Sequence, residues 1–270
     1  MTTGYADLGD GNLYYEIEGK GEFLILIHAG FIDSGMWDEQ WEAFTRYYRV
    51  VRFDMRGFGK SDPATGPVFR SHDLDRLLQE LGIKHAHLLG CSMGGKTAID
   101  FALEHPEMVK SLIVVSGVPE GFEMRGEPPS EIPEMLQALE QGDLNRVSDL
   151  QIHLWVDGTF RQPEEVNPIV RQHAAEMNMI AVKNGTWAIA DSSPLNPLNP
   201  PAAERLAEIN VPVLIVAGSL DNPEILRAAD LLANEINGAK KVVIPDSAHV
   251  PNMEKPEKFN KIVLDFLNRV

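Results

Sequence analysis

Short runs of consecutive apolar residues, many of them β-branched, recur at residues 13–17, 23–27, 48–53, 87–89, 111–115, 213–217 and 241–244. Runs of this length and composition predict strands. Between most of them apolar positions return every three or four residues, which predicts helices over 37–45, 74–81, 93–104, 223–236 and 256–268. The segments LILI and VLIV are apolar at every position, a pattern that suits strands of a parallel sheet buried on both faces. Strand–helix alternation with right-handed crossovers then predicts a doubly wound α/β domain. The first strands, joined through Gly9 and Gly11, read instead as an antiparallel meander.

The alternation stops between residues 119 and 201. No strand pattern occurs there, and helical patterns occupy 131–139, 144–155, 164–177 and 179–187. The stretch is too long for a simple loop, and prolines mark both of its ends. The expected organisation is a core of residues 1–118 and 202–270 with a helical cap inserted at 119–201. No internal repeat is evident, and the nearest approach to low complexity is the proline-rich run 194–201.

Composition narrows the partners. The chain has 270 residues, 44% of them hydrophobic and 24% charged, as expected of a folded globular protein. Its 24 basic and 40 acidic residues give a net charge of −16, which disfavours nucleic acid and anionic membrane surfaces as partners. Cys91 is the only cysteine, so neither an intrachain disulfide nor a cysteine metal cluster is available. The first residues lack a basic stretch followed by an apolar core, and no apolar run reaches the ~20 residues of a membrane span. A cytoplasmic location is therefore expected, with the choice between monomer and homodimer open.

The chemistry concentrates in residues 88–97, LLGCSMGGKT. Gly90-x-Ser92-x-Gly94 has the spacing of a serine nucleophile elbow. The same stretch, read as Gly90-x4-Gly95-Lys96-Thr97, has the spacing of a phosphate-binding loop. The second reading lacks its companion: the strand ending at Val115 runs into Ser116-Gly117 with no carboxylate to hold magnesium. The first reading finds its companions. Acyl hydrolysis needs a nucleophile, a base, a group that orients the base, and donors for the oxyanion. Ser92 follows HLLGC, Asp221 follows VLIVAGSL, and His249 follows VVIPDSA, each just beyond an apolar strand. The N–H of Met93, at the head of the following helix, points where an oxyanion forms. The loop after LILI, His28-Ala29-Gly30-Phe31, offers the second donor, Gly30 first and Phe31 second.

With these residues in order the chain resembles the α/β-hydrolase family almost end to end, through LILIHAGF, DMRGFGKSD, GCSMGG, PVLIVAGSLD and SAHVPNMEKPEKF. It is similar to small capped carboxylesterases, enol-lactonases and cofactor-free haloperoxidase-like members. The resemblance implies a mostly parallel sheet flanked by helices, with Ser92, Asp221 and His249 as catalytic residues, Gly30 and Met93 as the oxyanion hole, and no cofactor or metal. It also makes Asp54 part of a structural turn, Asp54 to Ser61. Ala29 departs from the family pattern, which usually has glycine after this histidine. The implied activity is hydrolysis of short to medium acyl or aromatic esters. Lactone hydrolysis, perhydrolysis, carbon–carbon bond hydrolysis and ligand binding without turnover remain alternatives.

Most histidines need no chemical role: His28 reads as a packing and turn residue, and Cys91 as a small buried one. Asp246 is near His249 but only three residues upstream. Met124, Met135, Leu139, Leu154, Trp155, Met177, Met179, Ile180 and Trp187 are candidate roof residues over the site. Phe31, Trp155 and Val250 are the expected substrate contacts.

Overall fold

The computed structural model describes residues 1–191 and 197–270; Pro194, in the proline-rich run, lies outside them. Eight strands form one sheet: β1 (Thr2–Asp7), β2 (Asn12–Gly19), β3 (Phe23–Ile27), β4 (Arg49–Phe53), β5 (Ala86–Cys91), β6 (Val109–Val115), β7 (Val213–Gly218) and β8 (Lys240–Ile244). Their order across the sheet is β1-β2-β4-β3-β5-β6-β7-β8. β1 and β2 form the antiparallel meander, β2 pairs antiparallel with β4, and every other pairing is parallel. β1 has no apolar run in the sequence because it is an edge strand on which only Ala6 is buried.

The continuous apolar runs are explained by the two layers they feed. Side chains alternate across a strand, so Ile25 and Ile27 enter one apolar layer while Leu24 and Leu26 enter the other. The helices α2 (Arg70–Glu80), α3 (Met93–Glu104) and α8 (Pro223–Glu235) cover the first layer through residues such as Leu77, Phe101 and Leu232. The helices α1 (Asp38–Thr45) and α10 (Pro256–Leu267) cover the second through Phe44, Phe259 and Val263. A short helix, α9 (Pro251–Glu254), precedes α10.

Between β6 and β7 lie α4 (Glu131–Glu140), α5 (Leu144–Ile152), α6 (Pro168–Lys183) and the short α7 (Ala202–Arg205). Helices α4 to α6 pack on one another through Met135, Ala138, Val147, Leu150 and Val182. Asp143 and Asn167 cap α5 and α6 by accepting the N–H groups of Arg146 (3.0 Å) and Ile169 (2.9 Å). Two details differ from the sequence reading. The helix expected over 144–155 stops at Ile152 and widens into a π turn, His153–Asp157. The two helices expected on either side of Asn178 are one, because Asn178 is a fully buried tertiary contact and not a break. Among the described residues no helix is long and apolar enough to cross a membrane.

Candidate active site

Parallel register aligns the carboxyl ends of the central strands, with Ile27 of β3 opposite Gly90 of β5, and Cys91 opposite Val115 of β6. The loops after β3, β5, β7 and β8 carry Gly30 and Phe31, Ser92, Asp221 and His249 in turn.

Ser92 joins β5 to α3 in a conformation seldom adopted by a non-glycine residue, φ 52° and ψ −113°. Such a backbone costs ~1–3 kcal/mol and persists only where the surroundings enforce it. Here the Ser92 N–H donates to Val115 O at 2.7 Å, and the Lys96 N–H to Ser92 O at 2.9 Å. The flanking glycines let the turn close. A Cβ on Gly90 would lie 2.1 Å from Gly94 O, and one on Gly94 would lie 2.3 Å from Ile27 O. Lys96, the residue on which a phosphate-binding reading depends, is paired with Asp100 (3.3 Å) and Glu120 (2.9 Å). Cys91 is fully buried, and burial pushes its thiol far above the ordinary cysteine range.

Asp221 and His249 meet on the loops after β7 and β8. Imidazole Nδ1 lies 3.1 and 3.0 Å from the two carboxylate oxygens. That contact places the proton on Nδ1 and leaves Nε2 as the acceptor. Nε2 is buried with no hydrogen-bond partner among the described residues. The Asn222 N–H steadies Asp221 Oδ1 at 2.8 Å. The two loops run so close that a Cβ on Gly218 would lie 2.0 Å from Ala248 O and 2.4 Å from Ser247 O. Asp246 is exposed, and its backbone N–H donates to Ser219 Oγ, 3.1 Å, away from the imidazole.

The histidine loop is also tied to the inserted helices. Glu254 Oε1 accepts the Ala248 N–H at 2.6 Å, and its Oε2 accepts Arg161 Nη1 at 2.6 Å. Arg161 in turn donates to the carbonyls of Val156 (2.9 Å) and Asp157 (2.8 Å) in the π turn. Trp155, in the same turn, lies against His249 with ring centroids 4.7 Å apart.

The loop after β3 is held from several sides. His28 is fully buried; its Nε2 accepts the Met55 N–H and its Nδ1–H donates to Ala29 O, both at 2.8 Å. Burial lowers its pKa to about 4, so it stays neutral as a structural hinge. Asp54 anchors the following turn by accepting the N–H groups of Ser34 (2.9 Å) and Lys60 (2.8 Å), which accounts for it without a metal. Asn178 reaches from α6 to donate to Phe31 O at 2.7 Å. Gly30 and Met93 are in contact: a Cβ on Gly30 would lie 2.5 Å from Met93 Cε. Ala29 takes the place of the usual glycine without distortion, its N–H facing Met36 Sδ at 3.2 Å.

Asp33, next in this loop, accepts the Gly35 N–H at 2.9 Å, yet burial and the nearby Asp54 raise its pKa to about 6. A carboxyl whose folded pKa lies above its unfolded value favours folding most when protonated. Its contribution is complete below about pH 4 and is lost as pH rises through about 6. Asp33→Asn, which keeps the capping oxygen, is therefore expected to match the wild type in stability near pH 4. Above pH 6 it is expected to exceed it by up to about 3 kcal/mol. Urea unfolding at a series of pH values checks this; a stability difference that does not change with pH would refute it.

A cavity of about 250 Å³ separates the strand ends from the inserted helices. The core side supplies Gly30, Phe31, Phe58, Ser92 and Met93; the helices supply Ile132, Met135, Leu139, Leu154, Trp155 and others. Phe31 and Trp155 stack across it at 6.3 Å. Gly30 and Met93 thus stand beside Ser92 on one wall. Val250 does not reach this wall: it is completely buried in the apolar layer, because the chain turns inward into Pro251 at the head of α9. Of the proposed roof, Met135, Leu139, Leu154, Trp155 and Trp187 line the cavity, whereas Met124 is 55% exposed and Met177 packs against Gly35. The lining residues Phe58, Gln151, Ala181, Val182 and Thr186 have no signal in the sequence beyond ordinary helix or turn composition. Among the described residues no three His, Cys, Asp or Glu side chains gather as a metal site.

A strained serine after a central strand and an Asp–His pair on the loops of the last two strands define the α/β-hydrolase class. A sequence model of the alpha/beta hydrolase fold matches residues 22–256, so the chain belongs to that family and is a hydrolase. A pimeloyl-[acyl-carrier protein] methyl ester esterase of Yersinia enterocolitica is 32% identical over 261 residues, covering 94% of this chain and 96% of that one. A 2-hydroxy-6-oxo-6-phenylhexa-2,4-dienoate hydrolase of Comamonas testosteroni is 28% identical over 288 residues, covering 97% and 93%. The crystal structure of an enol-lactonase from Burkholderia xenovorans LB400 superposes with a TM-score of 0.80 at 26% identity, covering 98% and 100%.

Proposed function

We propose that the chain hydrolyses carboxylic esters through Ser92, His249 and Asp221. The observation that carries this reading is the partnerless Nε2 of an imidazole whose other nitrogen is fixed by Asp221, on the sheet end that also bears the strained Ser92. Ser92 Oγ attacks the ester carbonyl as its proton passes to His249 Nε2, giving a tetrahedral intermediate and an imidazolium stabilised by Asp221. The N–H groups of Met93 and of Gly30 or Phe31 receive the oxyanion. The intermediate collapses, the alkoxide leaves with the proton from Nε2, and an acyl-serine remains. Water attacks the acyl-serine, loses a proton to Nε2, and releases the acid and the free serine. No step draws on a cofactor.

The apolar cavity suits a short to medium acyl or aromatic group, and among the described residues no cluster of cationic side chains lines it to favour a polyanion. Lactones are opened by the same sequence of attacks, and a carbon–carbon bond next to a carbonyl is opened where the leaving carbanion is stabilised and takes the proton from Nε2; the similar solved structures include an enol-lactonase. A fluorophosphonate tests the reading directly. One equivalent is expected to abolish hydrolysis of p-nitrophenyl butyrate and to add its mass to the peptide bearing Ser92. Labelling elsewhere, or full activity after labelling, would overturn the assignment.

A further inference from the structure

The cavity wall is hydrocarbon almost throughout. Apart from two indoles, the only polar side chains on it among the described residues belong to Ser92, Gln151 and Thr186. The Thr186 hydroxyl is spent, donating to Gly57 O at 2.6 Å. Gln151, half-buried on α5, is not spent, and its orientation follows from its neighbour.

Asn178 is fully buried, and its Nδ2 lies 2.7 Å from Phe31 O and 2.6 Å from Gln151 Oε1. A carbonyl oxygen only accepts, so the atom facing Phe31 O must be the amide nitrogen. Its two hydrogens are then shared between Phe31 O and the Gln151 side chain. The atom of Gln151 that meets Asn178 must be its oxygen. The Gln151 Nε2 is thereby turned away from Asn178, and no acceptor among the described residues takes its hydrogens.

We propose that Gln151 is a specificity-determining residue, reading a hydrogen-bond acceptor carried by the acyl chain at a distance from the scissile carbonyl. The preferred substrates are then esters whose acyl part holds a second carbonyl or ether oxygen, rather than plain alkanoates. This rests on the ester-hydrolase reading above. Once an acyl chain fills the cavity and excludes water from the Gln151 amide, an analogue lacking the acceptor leaves that donor unpaired, so the site discriminates against it. Asn178 gives the arrangement its rigidity. The same amide that orients Gln151 also holds the Phe31 carbonyl in the oxyanion loop, so the reader and the reaction centre share one fixed point.

The test uses methyl esters, since methanol is too small to fill the cavity and the acyl chain must occupy it. Methyl 4-oxopentanoate, 5-oxohexanoate and 6-oxoheptanoate are each compared with the parent alkanoate by pH-stat. For the wild type, kcat/KM is expected to favour the oxo ester by tenfold or more at one chain length. Gln151→Leu, which removes donor and acceptor, and Gln151→Glu, which keeps an acceptor for Asn178 but removes the donors, are both expected to bring that ratio close to one. An unchanged ratio in both variants overturns the proposal. So does a ratio lost in Gln151→Leu but kept in Gln151→Glu, which would mean that Gln151 acts only by supporting Asn178. A wild type without preference at any length overturns it as well. If the wild type hydrolyses none of the esters, the hydrolase reading fails and the subsite is decided by binding alone. The Kd of each pair is then read from tryptophan fluorescence in Ser92→Ala with and without Gln151→Leu. A tenfold preference for the oxo ester that disappears with Gln151→Leu supports the proposal, and equal Kd values overturn it.

Discussion

Replacing Ser92 with alanine is expected to lower kcat/KM for p-nitrophenyl butyrate by about 10⁴–10⁶-fold, the range seen when a serine hydrolase loses its nucleophile. The same variant is expected to remain folded, because Ser92 is anchored through its backbone to Val115 and Lys96 and not through its hydroxyl. Ser92→Gly sharpens the result. With φ at 52° the wild-type residue stores strain that glycine does not feel, so glycine is expected to raise stability by ~1 kcal/mol while abolishing turnover. A variant that is more stable and inactive identifies the position as one held for chemistry at the expense of the fold. Residual activity within tenfold of wild type in Ser92→Ala would remove serine from the mechanism. Equilibrium unfolding of the two variants checks the strain.

The second large effect is expected at Gly218, which touches no substrate. A methyl group there would meet Ala248 O at 2.0 Å and Ser247 O at 2.4 Å, distances that no rotamer relieves because both atoms belong to the backbone. Gly218→Ala must push the loop carrying His249 away from the loop carrying Asp221. The expected cost is at least about 3 kcal/mol of stability, together with a loss of activity at temperatures where the protein is still folded. Gly66→Ala is the matched control. Nothing lies within 4 Å of its Cβ position and its φ is not positive, so stability is expected to stay within ~0.5 kcal/mol of wild type. Calorimetric melting of the two variants separates the outcomes. Similar melting temperatures would show that the two loops have room to part.

The sheet was legible because its central strands are buried on both faces. LILI and VLIV leave no other reading, and each ends where a loop of the site begins. The Gly-flanked elbow was legible because backbone crowding admits only glycine at positions 90 and 94. The edge strand β1 was legible only through its turn at Gly9 and Gly11, since one covered residue in six leaves no apolar periodicity to see. The wall of the cavity was not legible. An apolar residue on α4 or α6 satisfies the same helical spacing whether it faces a neighbouring helix or a ligand, so Met135 and Met177 look alike in sequence. Their fates differ only through tertiary packing. Val250 misled for the related reason that closeness to His249 in the chain says nothing about which way the next residue turns. Asn178 falls between two helical patterns of the sequence, and nothing local marks it as a tertiary contact. Its partners, Phe31 and Gln151, lie 147 and 27 residues away.

The ion pair of Arg161 and Glu254 bears on how a substrate gets in. Arg161 grips two carbonyls of the π turn that carries Trp155, and Glu254 grips the N–H next to His249. With both side chains buried at 11% and 6% exposure, this ion pair fastens the π turn to the histidine loop. Any displacement of the π turn is therefore transmitted, through Arg161 and Glu254, to the loop that holds His249 against Asp221. Leu136 and Trp187 line the cavity and are still 41% and 46% exposed, so the cavity meets solvent beside them, through side chains that take no part in this ion pair.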